Sequence, residues 1–159
     1  PAIRDKALIL YHLNKTEESL VMLSKSLKIN PVDYIALDIL GLIFIDMKKY
    51  EEAKKVFKEA ITINPKYFPS YNNLGRYFTL IYDHKKANSY FRKALEFNPN
   101  FIEAINNIAN NYSETGSAKI AIKYYKKALK MNPTKLTTLC LVRTRFPILL
   151  GCFAKHCCC

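Results

Sequence analysis

Residues 34–65 read YIALDILGLIFIDMKKYEEAKKVFKEAITINP, and the spacing of large and small residues in this stretch returns at a fixed period on both sides. The Asn64-Pro65 pair that closes it recurs 34 residues later as Asn98-Pro99 and again as Asn132-Pro133, and 34 residues earlier as Asn30-Pro31. Leu37, Leu40 and Phe44 stand at i, i+3 and i+7, on one face of a helix, and Ala53, Phe57 and Ala60 repeat this on the next. Two such faces pack together. The period therefore predicts an all-α array of helix-turn-helix units.

The positions that recur are Leu37, Leu40, Gly41, Phe44, Ala53, Phe57, Ala60 and Pro65 in one unit, then Tyr71, Leu74, Gly75, Phe78, Ala87, Phe91, Ala94 and Pro99. A further unit has Ile105, Ile108, Ala109, Tyr112, Ala121, Tyr125, Ala128 and Pro133. This pattern resembles the tetratricopeptide repeat. A divergent first unit keeps Ile3, Ala7, Leu10, Ser19, Leu23, Ser26 and Pro31, with Lys6 where Leu is expected. The resemblance implies a right-handed α-solenoid, a superhelix of antiparallel helix pairs, with units at 1–33, 34–67, 68–101 and 102–135. Residues 134–159 then read as a partial capping helix and a Cys-rich tail.

Where two helices cross closely a bulky side chain has no room, so Gly41 with Ala53, Gly75 with Ala87 and Ala109 with Ala121 are expected to let the backbones approach. Asn-Pro should punctuate the units, because proline disfavours helix at the residue before it and Asn can take the left-handed conformation that ends a helix. Helices are predicted at about 2–14, 17–29, 34–47, 50–62, 69–81, 84–96, 102–115 and 118–130. Pro69 falls in a first turn, where its missing N–H costs little.

A hydrophobic fraction of 50% suffices for a packed core, although a solenoid buries only neighbour against neighbour. The formal net charge is +12, from 25 Lys plus Arg against 13 Asp plus Glu, with Lys119, Lys123, Lys126, Lys127 and Lys130 on one predicted helix. Such a ridge could face nucleic acid or anionic lipid. Arg is scarce and the aromatic residues sit at repeat core positions rather than on that face, so a solvated face is favoured and nucleic acid is disfavoured as a partner.

Pro1 in place of Met suggests a fragment or processed product, and residues 1–16 mix charges with apolar positions, unlike a signal peptide. No stretch approaches the length of about 20 apolar residues that a membrane span needs. Every cysteine lies in the last segment: Cys140, Cys152, Cys157, Cys158 and Cys159. A cysteine-free array fits a reducing compartment, and a cytoplasmic location is expected. His156-Cys157-Cys158-Cys159 is contiguous rather than split into two knuckles, so no metal site is expected, and the C-a-a-X lipidation pattern is absent. Leu139, Val142 and Phe146 keep the register of a fifth first helix ended by Pro147, with Arg143 where a small residue is expected.

His12 and His84 fall near turns of different repeats, there is no phosphate-binding glycine loop, and no catalytic constellation is legible. Neither an enzyme nor a cofactor is expected. In the tetratricopeptide family the resemblance places function in a concave groove lined by the first helices, which accepts an extended or helical segment of another protein. That groove would run over 35–46, 69–80 and 103–114. Its first end would be apolar, with Ile35, Leu42 and Ile45 beside Asp38, and its last end amide-lined, with Asn72, Asn73, Arg76, Asn106, Asn107 and Asn110. A ladder of side-chain amides can hold an extended backbone, since each offers donors and an acceptor.

The Asn pairs resemble the asparagine ladder in the recruiting arm of O-linked N-acetylglucosamine transferases, which gives the alternative of a substrate-recruiting arm of a larger enzyme such as a glycosyltransferase. Asp5 and Ile39 replace Asn in the earlier units. The carboxylate clamp of chaperone cochaperones is not matched, because its positions hold at most one cation. Helix 34–47 is apolar almost all round, which fits burial between neighbours. Exposed on the concave side, it would instead meet an apolar ligand or a second copy, leaving self-association open.

Overall fold

A computed structural model describes residues 2–132. Eight helices follow one another: α1 (Ala2–His12), α2 (Thr16–Ile29), α3 (Tyr34–Asp46), α4 (Tyr50–Ile63), α5 (Phe68–Leu80), α6 (His84–Phe97), α7 (Ile102–Glu114) and α8 (Ala118–Met131). Each consecutive pair packs as an antiparallel hairpin, and each hairpin packs on the next to give an α-solenoid. The predicted capping helix, the Cys-rich tail and His156 lie outside the described residues.

The crossing inside the two middle hairpins is set by an aromatic ring seated on a helix that lacks a side chain there. A Cβ added at Gly41 would overlap the Phe57 ring, and one at Gly75 would overlap the Phe91 ring. Both rings are fully buried. In the last pair Ala109 takes the place of glycine, in one apolar cluster with Ala121 and Tyr125. In the first pair Ser19 replaces the small Ala, and its buried hydroxyl donates to the Ala7 carbonyl at 2.7 Å, so the polar atom is satisfied. The main core runs without a break from Ile45 through Phe57, Leu74 and Phe91 to Ile108. Edge-on ring pairs, Tyr34 with Tyr67 and Phe68 with Phe101, each with centroids 4.9 Å apart, tie successive units at their starts.

The punctuation differs from expectation. Asn30, Asn64, Asn98 and Asn132 all cap their helices in extended conformation, with φ between −131° and −145°. The following proline pushes the Asn before it into extended backbone, and Asn64 and Asn98 use their side-chain oxygens to accept from the N–H two residues on, at 3.1 and 3.2 Å. The left-handed residues instead end the first helices, again 34 residues apart: Asn14, Lys48, Tyr82 and Gly116, with φ of 58°, 60°, 61° and 76°. Each is followed by an N–H that reaches back to close the turn, as Lys49 does to the Phe44 carbonyl at 2.8 Å and Asp83 to that of Phe78 at 2.9 Å.

Lys48 and Tyr82 carry a Cβ in a conformation that costs L-residues on the order of 1 kcal/mol. Lys48 is exposed, so glycine there would give up little burial. Lys48→Gly should therefore raise unfolding stability by roughly 0.5–1 kcal/mol in urea titration, and a loss of stability would contradict this reading of the turn.

Candidate binding groove

The first helices α1, α3, α5 and α7 lie side by side, each in contact with the next. A 34-residue repeat brings residue i of one first helix beside residue i+35 of the following one, and three polar contacts show this spacing. Tyr11 Oη donates to Asp46 at 2.7 Å, Asn73 Nδ2 donates to both oxygens of Asp38 at 3.1 Å, and Asn107 Nδ2 donates to Asn72 Oδ1 at 2.9 Å. Ser70 adds a short 2.6 Å bond to Asp38. The polar groups of the groove floor are thus first of all ties between helices.

Asp38 is strongly perturbed. Only 5% exposed, it has no ion pair within 4 Å among the described residues, and burial pushes its carboxyl up to about 6. The hydrogen bonds from Ser70 and Asn73, and the more distant charge of Arg76, pull the other way without cancelling that effect. At the groove's first end, burial and then the bond to Asp46 hold the Tyr11 hydroxyl up at about 12, so it stays a donor.

The residues expected in the groove divide by exposure. Asp38, Ile45, Asn72, Asn73 and Asn106 are buried, Ile35, Leu42, Asn107 and Asn110 are half-buried, and Arg76 is exposed. A cavity of about 240 Å³ between α5 and α7 brings together Ile45, Arg76, Asn107 and Asn110. Ile35 lies apart, at a depression of about 520 Å³ beside Arg4, Val32 and Asp33. The amides that suggested a ladder for a peptide backbone are largely engaged: Asn73 with Asp38, Asn72 with Asn107, and Asn110 as acceptor for the Tyr125 hydroxyl.

Thr79, Leu80, Asn111 and Glu114 also line the cavity, and the sequence reading did not select them. Asn111 is 1% exposed and satisfies its amide locally. It accepts from Thr79 Oγ1 at 3.1 Å, donates to Asn88 Oδ1 at 3.1 Å and lies 3.3 Å from His84 Nδ1. The signal was in the period, which places Asn111 at the position of Ile43 and Tyr77, both buried. The lysines of α8 are exposed on a second helix, in the layer that does not form the groove.

Among the described residues no helix is long and apolar enough to cross a membrane, and no group of three or more His, Cys, Asp or Glu could hold a metal ion.

A carboxyl whose folded pKa exceeds its unfolded one binds more protons when folded, so its contribution to stability falls as pH rises. For Asp38 the window runs from about 4 to about 6. Asp38→Asn cannot ionise, so in urea unfolding the variant should gain on the wild type by up to about 3 kcal/mol between about pH 4 and pH 7. A difference independent of pH would contradict the assignment.

The tetratricopeptide repeat family profile matches residues 35–67, 68–101 and 102–135, well over half of the chain. Among solved structures, a crystal structure of MamA is similar with a TM-score of 0.71 at 24% identity, over 85% of this chain and 79% of that one. Pseudomonas aeruginosa PilF gives 0.79 at 19% identity, over 86% and 63% respectively. A chain of the APC/C hetero-tetramer Cut9-Hcn1 gives 0.81 at 17% identity, over 91% of this chain and 29% of that one. At these identities the likeness speaks for the fold alone. A search of curated protein sequences gives no significant match. The repeat period, the helix pairs and the profile agree: the chain belongs to the tetratricopeptide repeat family.

Proposed function

We propose that the array is a protein-interaction scaffold whose concave face takes a short segment of another protein at the α5–α7 cavity. The observation that carries this reading is Arg76. It is the one cation on α3, α5 and α7, it is exposed, and it stands at the cavity with two half-buried amides, Asn107 and Asn110, and two apolar side chains, Ile45 and Leu80. A guanidinium offers a planar fork of donors that suits a carboxylate or paired carbonyls, while the apolar wall gives a neighbouring side chain somewhere to bury.

The partner segment this arrangement fits carries an acidic residue next to an aliphatic or aromatic one. Glu114 on the same rim disfavours a second acid there. Asn107 and Asn110 supply the remaining amide contacts, each in addition to the bond it already makes within the array. Binding would rest on the groove, and the lysines of α8 would remain a solvated outer face.

The test is selection of peptides from a random displayed library on the wild-type array, followed by affinity measurement on the selected peptides. Sequences pairing Asp or Glu with an apolar residue should be enriched, and Arg76→Glu should weaken them by about 10–100-fold, the equivalent of a lost charged hydrogen bond. The side chain is exposed, but its charge favours the buried Asp38 carboxylate, so binding is compared well below the variant's own thermal midpoint. Equal binding by Arg76→Glu would overturn the assignment.

A further inference from the structure

The turns that join first to second helices share one geometry. Leu13, Met47, Ile81 and Thr115 each donate their N–H to the carbonyl four residues back, at 3.0, 2.9, 3.3 and 3.0 Å, and the residue after each is left-handed. Equivalent positions therefore face the same way from unit to unit, and the turns line up along one edge of the solenoid. Three of the four residues in the middle of that edge are apolar and exposed: Leu13 by 62%, Met47 by 41% and Ile81 by 44%. Met47 and Ile81 belong to units with a described unit on either side, so stacking of units does not cover this position.

The edge has two flanks. On the groove side stand His12, Asp46, Leu80 and Glu114, each the last residue of its helix; Asp46 accepts from Tyr11 of α1, and Leu80 lines the cavity beside Arg76. On the second-helix side stand Asn14, Lys48, Tyr82 and Gly116, and the Tyr82 ring lies edge-on to that of His84 on α6, centroids 6.3 Å apart. Tyr82 is 84% exposed, in a conformation that disfavours a Cβ and for which the last unit uses glycine. Neither its backbone nor its burial within the chain favours an aromatic ring there.

A second copy of the chain fits this strip. With two copies edge to edge and their units running the same way, the groove flank of one meets the second-helix flank of the other. Leu13, Met47 and Ile81 then meet their own equivalents, Leu80 meets Tyr82 and Asp46 meets Lys48, the last two contacts each made twice by symmetry. His12 faces Asn14 and Glu114 faces Gly116, so no like charges are opposed in the strip. With the units running in opposite directions about Met47, Asp46 would face Asp46 and Lys48 would face Lys48, which is unfavourable.

We propose that the chain forms an isologous dimer through this edge, two copies lying side by side with their units in the same order. Each copy contributes both flanks, so the contact closes on itself and does not grow further. A strip of about ten residues a side is smaller than the roughly 20–30 of a stable complex, so dissociation is expected at about 10–100 µM. The dimer is independent of the groove reading and needs no bound segment.

The experiment uses the full chain in reducing buffer, which excludes disulfides through its five cysteines. Light scattering over about 1–500 µM should show a mass that rises from that of one chain and levels at twice that value. Ile81→Lys should stay at the mass of one chain. Asp46→Lys and Lys48→Asp should each weaken the dimer by about 10-fold or more, because like charges then oppose one another at both symmetric contacts. Mixed in equal amounts these two variants should regain it, since every opposed pair then joins unlike charges. Asp46→Lys also removes the bond from Tyr11, so its helical signal is checked; if it fails to fold, Ile81→Lys and Lys48→Asp, both at exposed turn positions, carry the test. A wild type that remains a single chain, a mass that climbs past twice that of one chain, undiminished association of Ile81→Lys or Lys48→Asp, or a mixture of folded variants that associates no better than either alone would overturn the proposal.

Discussion

The first helices are held in register by polar side chains that reach exactly one helix across, and the buried carboxylate of Asp38 is the centre of that system. It accepts from Ser70 and Asn73 on α5 while sitting on α3, so its burial is tolerable only while the two helices keep their spacing. The apolar packing inside each hairpin is strong and non-directional. The polar ties add direction, since an amide opposite a carboxylate or another amide accepts few alternative offsets. A solenoid has no common centre, so the spacing of each neighbouring pair determines the curvature of the whole face.

That arrangement limits what the proposed groove could offer. Amides committed between helices cannot be spent freely on a ligand, and at Asn73 the buried carboxylate would be left short of donors if they were. Of the residues expected in the groove Arg76 alone is exposed, and it lines the cavity between α5 and α7 together with the half-buried, already bonded Asn107 and Asn110 and with Ile45 and Leu80. The apolar stretch of α3 behaves differently from a ligand face. Ile39 and Ile43 are 3% and 0% exposed and belong to the core shared with α1 and α2, and Ile45 belongs to that shared with α5.

Much of the fold was legible because one period repeats four times, and each repeat constrains the others. The eight helices fall within two residues of the predicted bounds, and Gly41 and Gly75 lie under the rings of Phe57 and Phe91, as the small-residue spacing requires. The turn chemistry was less legible. Asn before proline reads equally as a left-handed cap or an extended one, and the left-handed role went to Lys48 and Tyr82, residues that no composition rule marks. The site was harder still. Asn72 and Asn73 are buried and bonded to neighbouring first helices, and helical periodicity cannot say which side a short amide will choose. The partner of Asn73 is Asp38, 35 residues earlier, a distance visible only after the register of the stack is known.

The central claim is that these polar ties, rather than apolar contact alone, couple neighbouring units. A double-mutant cycle on Asp38→Ala and Asn73→Ala, read by urea unfolding at neutral pH, addresses it most directly. The account predicts that the two substitutions are not additive, with a coupling of about 1–3 kcal/mol, as for residues sharing a buried charged hydrogen bond. Additivity to within about 0.5 kcal/mol would mean that α3 and α5 do not depend on this contact, and would contradict the account.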